Sequence, residues 1–443
     1  MLRIPGSVKR FARAFNGAGH ELYIVGGAVR DALLGYPLED YDFATSATPR
    51  EVLQLFSHVI PTGIKHGTVT VLFEKHRFEV TTYRVDGNYT DRRRPDQVTY
   101  TSSLLEDLQR RDFTINAIAL EPLTGTVVDP AGGRDDLKRG VIRTVGPPSD
   151  RFSEDALRMI RAVRFHAVLN FDLSSDVIDS MRQLAPLVEQ VAPERIASEL
   201  EKLMGAEFPS RGWEILRTTG LLVRLVPELE EDRSIPIEVF PHLVRTCDCA
   251  PRDNPVLRWA ALLHDAGKPR CLGEDTRGIH FHGHDEESAR MAEEILTRLR
   301  FSNDRIRAVT HLVRHHMFGY RSEWSDAAVR RFIARVGEEE VFLLSALRRA
   351  DSCGKTGRVP RDTDLDELES RVRTMLADSP PLSRGNLAVN GNDLITILGL
   401  KPGPLVGIIL DELLQTVLED PKKNDRDALL EIARRFQSQR LNP

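Results

Sequence analysis

The stretch that most constrains this chain is Leu22 to Thr45, LYIVGGAVRDALLGYPLEDYDFAT. Leu22-Tyr23-Ile24-Val25 is a short apolar run and reads as a buried strand. Gly26 and Gly27 follow, then a helix-compatible segment with Arg30 one turn in. Two glycines between a strand and a helix let the backbone come close to a ligand. The helix start offers N–H donors and a positive dipole end to an anion. Arg30 adds a guanidinium suited to phosphate oxygens. Asp40 and Asp42 are one residue apart, so on a strand their side chains point the same way. Two carboxylates that close repel unless a cation lies between them. Hard oxygen ligands beside substrate phosphates suit Mg²⁺. A lone Gly-Gly is usually a turn, and a lone Asp-x-Asp is usually solvated. Together, a phosphate binder at Gly27 and Arg30 and a metal binder at Asp40 and Asp42 are what nucleotidyl transfer needs.

The rest of the first segment continues a mixed sheet with helices. Residues 6 to 18 read as an amphipathic helix, and Pro49 opens another. Val69–Phe73 and Arg77–Tyr83 read as a hairpin, with Glu79 either a third carboxylate near the metals or a solvated strand position. Asp86 to Gln97, DGNYTDRRRPDQ, is a polar loop with three consecutive arginines. In Arg110–Ala117, RRDFTINA, one reading has Arg111 neutralising triphosphate oxygens, with Asp112 and Asn116 holding sugar hydroxyls or orienting Arg111, and the plainer one is helix-capping ion pairs on a surface. Asp129–Leu137, DPAGGRDDL, reads as a structural turn.

Arg151–Phe165, RFSEDALRMIRAVRF, reads as one helix with Ala156, Met159, Ile160 and Val163 on its apolar side. Asp155 and Arg158 lie three apart and read as surface neighbours. A carboxylate only accepts hydrogen bonds and a guanidinium only donates. Cytosine and adenine each offer an amine donor beside a ring-nitrogen acceptor, so this pair suits both. Uracil and guanine present the reverse pattern, and unpaired buried polar groups discriminate by ~10⁴ or more. The plainer alternative is a salt-bridged, solvated helix face.

These motifs resemble the DNA polymerase β superfamily. More narrowly, GGAVRDALLG with DYD, RRDFTINA and EDALR is similar to the class II tRNA nucleotidyltransferases (CCA-adding enzymes) and their poly(A) polymerase relatives. The resemblance implies an α+β chain: a mixed β-sheet nucleotidyltransferase head (1–145), an all-α neck with the nucleotide-selecting helix (146–230), an HD-type domain (231–375) and a helical tail (376–443). It implies transfer of CMP and AMP from CTP and ATP to a tRNA 3′ end, with Asp40 and Asp42 holding two Mg²⁺. It gives base selection to Asp155 and Arg158, places Arg161 and Arg164 at the nucleotide, and makes the 86–97 loop a moving part.

Beyond residue 230 the histidines concentrate: of 13, eight lie between 240 and 320. His242, the adjacent pair His264-Asp265, and Asp351 resemble the ligand set of the HD phosphohydrolase superfamily. Imidazole with carboxylate suits a divalent transition metal. The resemblance implies a 2′,3′-cyclic phosphodiesterase or phosphatase, or a scaffold that has lost catalysis. The segment VNGNDLITILGLKPGPLVG resembles the family's C-terminal region and implies contact with the tRNA elbow by shape and phosphate.

A net charge of −5 gives no global sign of nucleic-acid binding, so RNA contacts must be local. Four cysteines form no Cys-x-x-Cys pair and no secreted-style framework, and no signal peptide is visible, which points to a reducing, cytoplasmic setting. No apolar run approaches the length of a membrane span. Three alternatives compete: an A-adding or CC-adding enzyme or a poly(A) polymerase, a metal-dependent phosphohydrolase with an RNA-binding head, and a non-catalytic RNA-binding module. The 86–97 loop looks complete, unlike that of CC-adding members, and GIKHGTVTV looks more like the CCA-adding form than the poly(A) form.

Overall fold

Helix α1 (Gly6–Gly17) buries Val8, Phe11, Ala12 and Phe15, the spacing of one helical face. In this computed structural model, which describes residues 4–37, 41–86, 98–230, 238–276, 278–358, 361–378 and 380–441, that face covers a sheet. The Phe11 ring lies 5.2 Å from Phe43 and 4.7 Å from Phe78, both on strands beneath it. Losing a ring so placed costs about 3–5 kcal/mol.

The sheet has seven described strands: β1 (Leu22–Val25), β2 (Asp42–Thr45), β3 (Val59–Gly63), β4 (Thr68–Phe73), β5 (His76–Thr82), β8 (Ala119–Leu120) and β9 (Val127–Val128). Between β5 and β8 lie β6 (Arg84–Asp86) and β7 (Val98–Tyr100), paired as a separate ribbon. The order is β3-β4-β5-β2-β1-β8-β9, with β2 and β5 parallel and the other neighbours antiparallel. The sheet is mixed, as expected. Alternation puts Phe43, Phe78 and Val80 toward α1. Asp42, Ala44, Glu79 and Thr81 take the other face. Ala44 there packs in a small core with Val25, Tyr83, Leu104, Leu108 and Ala119.

Helices α2 (Gly27–Leu33), α3 (Pro49–Leu55), α4 (Leu104–Gln109) and α5 (Gly133–Arg139) surround the sheet. Thr48 caps α3 in a reciprocal box with Glu51. Then come α6 (Pro148–Glu154), α7 (Leu157–Leu169), α8 (Ser175–Leu184), α9 (Pro193–Met204), α10 (Pro209–Thr218) and α11 (Leu222–Leu225). The single helix expected over Arg151–Phe165 is two. Asp155 is extended, with φ −148° and ψ 104°, and separates α6 from α7.

The chain divides into two compact units, Met1–Arg233 with Arg298–Phe301, and Ser234–Thr297 with Ser302–Pro443. The second is helical: α12 (Val239–Cys249), α13 (Pro255–Leu263), α14 (His284–Arg298), α15 (Asn303–His315), α16 (Asp326–Val336), α17 (Glu340–Thr356), α18 (Thr363–Ala377), α19 (Gly391–Leu398), α20 (Pro404–Glu419) and α21 (Arg426–Leu441). A core around Leu394, Ile409, Leu413, Val417 and Leu429 holds α19, α20 and α21 together. Arg330 on α16 donates to the carbonyls of Leu418 (2.7 Å) and Glu419 (2.9 Å), satisfying the end of α20. One disulfide joins Cys249 at the end of α12 to Cys353 on α17. A separation of 104 residues leaves no local signal for that pairing, and the sequence reading expected none. Among the described residues no helix is long and apolar enough to cross a membrane.

Candidate active site and metal cluster

The turn from β1 into α2 requires glycine. Gly26 has φ 71°, a left-handed conformation, and a Cβ there would approach Arg111 Nη1 at 3.5 Å and Asp42 Oδ2 at 3.8 Å. This turn borders a cavity of about 590 Å³ in the first unit. Gly27, Arg30, Asp42, Glu79, Arg111, Asp112, Asn116, Asp155, Arg158, Arg161 and Arg164 all line it. Of the predicted head residues only Asp40 is missing, because it lies outside the described residues, as do residues 87–97 of the arginine loop.

Asp42 sits at the start of β2 and pairs in register with Glu79 on the parallel strand β5. Their side chains emerge side by side on one face. Burial raises the Glu79 carboxyl, and the Asp42 charge raises it further. Paired hard oxygens with this mutual repulsion fit a divalent cation.

Arginines dominate the remaining wall. Arg30 Nη1 donates to Asn116 Oδ1 at 3.0 Å, and its other nitrogens bond Asp31. Arg111 is held by Asp107 at 3.1 Å, not by Asp112 or Asn116 as one reading of RRDFTINA had it. Asp107 is 1% exposed and also receives Arg110 at 2.7 Å, so one buried carboxylate aims two guanidiniums. Asp112 accepts from Arg161 Nε at 2.8 Å and from the Phe113 N–H at 2.8 Å. Burial works against its charge, but the Arg161 charge and hydrogen bonds prevail and lower it to about 2. Phe165 stacks under three guanidiniums, with Arg164 at 4.0 Å, Arg30 at 5.2 Å and Arg161 at 5.6 Å from its centroid. Buried Glu199 on α9 meets Arg164 at 2.9 Å.

Asp155 and Arg158 line the same cavity but do not pair as expected. The helix break turns Asp155 toward α9, where Arg195 Nη2 donates to its Oδ2 at 2.6 Å. Its other oxygen accepts from the Leu157 N–H at 3.1 Å, starting α7. Arg158 is buried and donates to Glu154 and to the Arg151 carbonyl. Sequence reasoning missed Asp107, Phe165, Arg195 and Glu199. Phe165 sits within a quoted motif, but the other three show no pattern of their own.

In the second unit, His242, His264, Asp265 and Asp351 converge. His242 Nε2 lies 3.0 Å from Asp351 Oδ1 and 3.3 Å from His264 Nε2. Helices α12, the end of α13, and α17 supply them. His264 Nδ1 donates to the Ala261 carbonyl at 2.9 Å, leaving Nε2 to face the cluster. Burial opposes charge on His264, but Asp265 and Asp351 push it up to about 9. Asp351 Oδ1 is buried between the Nε2 atoms of His242, at 3.0 Å, and His264, at 3.4 Å. The donor set fits a divalent transition metal. His284 and His316, which the sequence reading did not single out, reach Asp265 from the other side.

Residues 22–143 match the family described as the poly A polymerase head domain. Residues 170–233 match a probable RNA-binding site of polymerase A, and residues 282–433 match a putative tRNA nucleotidyltransferase domain 2. A CCA-adding enzyme of Geobacillus stearothermophilus is 36% identical over 414 residues, covering 93% of this chain and 92% of its own. One from Enterococcus faecalis is 34% identical over 441 residues, covering 98% of each. A crystal structure of the Bacillus stearothermophilus CCA-adding enzyme in complex with CTP matches with a TM-score of 0.77 and 31% identity, over 99% of this chain and 98% of that one.

Proposed function

The chain belongs to the CCA-adding enzymes, and on that basis we propose how its cavity adds CMP and AMP from CTP and ATP to tRNA 3′ ends. One observation carries the reading: Asp42 and Glu79 stand in register on the floor of a cavity walled by arginines. Asp40, Asp42 and Glu79 are the residues that would hold Mg²⁺. A bound ion would supply activation of the 3′-hydroxyl and charge stabilisation for the pyrophosphate oxygens. Gly27 and Arg30 cradle the triphosphate at the α2 start, and Arg111, aimed by Asp107, neutralises its charge. The 3′-oxygen attacks the α-phosphorus and the bond to pyrophosphate breaks. Asp155 accepts from the base amine while Arg158 donates to the ring nitrogen. Arg161 and Arg164, braced by Asp112, Glu199 and Phe165, hold the nucleotide. The helical tail meets the tRNA elbow. Asp42→Ala tests the site: labelled CTP and ATP incorporation should fall at least ~10³-fold with thermal stability retained. Retained incorporation would move the chemistry elsewhere.

The approach of His242 and His264 Nε2 to one buried oxygen of Asp351 supports a second chemistry. His242, His264, Asp265 and Asp351 would hold one divalent transition metal, and a bound ion of this kind supplies a Lewis acid for phosphoester hydrolysis. Metal content should drop on His264→Ala, whereas unchanged content would refute this assignment.

A further inference from the structure

Asn116 ends the short 3₁₀ turn Thr114–Asn116, is 7% exposed and lines the first-unit cavity. Its amide meets opposite charges on its two sides. Oδ1 accepts from Arg30 Nη1 at 3.0 Å, and Nδ2 donates to Asp112 Oδ1 at 3.3 Å. A guanidinium only donates and a carboxylate only accepts, so these partners fix which way the amide points. Arg30 gives Nε and Nη2 to Asp31 at 2.8 and 3.0 Å. Asp112 takes Arg161 Nε on its other oxygen, Oδ2, at 2.8 Å. One unbroken row of hydrogen bonds therefore runs from Arg30 on α2, through Asn116 and Asp112, to Arg161 on α7.

The row joins the two ends of the cavity. Arg30 belongs to the triphosphate end in the proposed reaction. Arg161 lies one turn beyond Arg158, at the base end. Asn116 is the uncharged member between a cation and an anion, and a carboxamide serves both through two separate atoms. Aspartate in its place would set a second carboxylate against Asp112, and alanine would remove both bonds. Side chains linked in this way are fixed together. A ligand that immobilises Arg30 also immobilises Asn116, Asp112 and Arg161, so a second contact costs less side-chain entropy. Phe165 offers a second tie, its ring centroid lying 5.2 Å from Arg30 and 5.6 Å from Arg161.

We infer that Asn116 is a positioning residue that couples the triphosphate end of the site to the base end, so that each half of a nucleotide binds more tightly when the other half is bound. This rests on the reading of the cavity as the nucleotide site. Asn116 acts through Arg30 and, by way of Asp112, through Arg161. The coupling is reciprocal, because two ligands that bias the same arrangement must affect each other equally. A nucleotide lacking either half then loses more than the contacts of that half.

The test is calorimetric titration of the full-length protein in Mg²⁺, with pyrophosphate as the probe of one end and cytidine as the probe of the other. Saturating pyrophosphate should tighten cytidine binding about fivefold, and saturating cytidine should tighten pyrophosphate by the same factor. The factor should fall below about twofold in Asn116→Ala, which removes both bonds. It should fall equally in Asn116→Asp, which keeps an acceptor for Arg30 but no donor to Asp112. Both variants leave Phe165 in place, so a factor that persists in Asn116→Ala assigns the coupling to the ring and overturns the proposal. Persistence in Asn116→Asp alone overturns the step through Asp112. Independent binding of the two probes to the parent overturns the coupling and leaves the nucleotide site standing. Failure of the parent to bind either probe or CTP overturns the nucleotide reading itself. Both variants should also raise KM for CTP and ATP about tenfold with kcat little changed. A lowered unfolding temperature with parental KM would mark a merely structural role and overturn the proposal. If neither variant unfolds cooperatively, Arg161→Lys, at the far end of the row, takes their place: it should lower the factor, and an unchanged factor overturns the coupling.

Discussion

Asp155 illustrates how much of this site depends on residues that no local pattern marks. Its oxygens are held by Arg195, forty positions on, and by one backbone donor. Arg195 thus acts as a positioning residue. Arg195→Ala should lower kcat/KM for CTP and ATP about tenfold, mostly through KM, and raise the UTP fraction incorporated. Arg195→Lys should recover part of both, and unchanged selectivity would count against the assignment. Asp112 offers a pH test. Its folded carboxyl is lowered to about 2 from 3.8, so its stabilisation is present above pH 4 and is lost as pH falls through 2. The shift corresponds to about 2 kcal/mol. Asp112→Asn should therefore lower stability near neutral pH, with the difference shrinking in acid. A pH-independent difference in denaturant unfolding would show that packing, not charge, is at stake. Gly27, Arg30, Asp42, Arg111 and the Asp155/Arg158 positions were legible because each sits in a short contiguous motif. Asp107, Glu199 and Arg195 were not, since a buried carboxylate or a lone arginine is recognisable only by what it touches.

At the scale of elements, the strand and helix boundaries of the head followed from period and turn residues: α1 from its four apolar positions, α3 from Thr48-Pro49, and the β4–β5 hairpin from alternation. The break at Asp155 did not follow, because 151–165 keeps a helical apolar period through it while one residue turns extended. The Asp129–Leu137 turn was read as structural, and Gly133 supports a reason: a Cβ there would lie 2.1 Å from the Thr114 carbonyl oxygen. That carbonyl opens the turn carrying Asn116. Gly133→Ala should cost about 1–3 kcal/mol and raise KM for both nucleotides, measured by thermal unfolding and steady-state kinetics. Full stability in that variant would mean the turn shifts freely. The Cys249–Cys353 bond links the two helices that carry His242 and Asp351. A disulfide typically contributes about 2–4 kcal/mol. Reductant should lower the unfolding temperature of the wild type, and Cys249→Ser should abolish that sensitivity.

For the whole molecule, two compact units carry two different donor sets: hard carboxylate oxygens in the first, imidazole-rich groups in the second. The α+β head and helical remainder were legible because the strands of the large sheet all fall before residue 130. Cluster membership was legible only in part. His264-Asp265 stood out as an adjacent pair, whereas His284 and His316 are two among several histidines until the fold turns them toward Asp265. The chain belongs to the CCA-adding enzymes, so completion of tRNA 3′ ends to CCA is the activity to measure first. Its most direct test is extension, with Mg²⁺, of three tRNA transcripts that lack CCA, end in C, or end in CC. CTP and ATP are supplied singly and together, with UTP and GTP as controls. All three transcripts should be completed to CCA and stop there. Extension of the CC-ending transcript alone, or long A tails, would contradict the account.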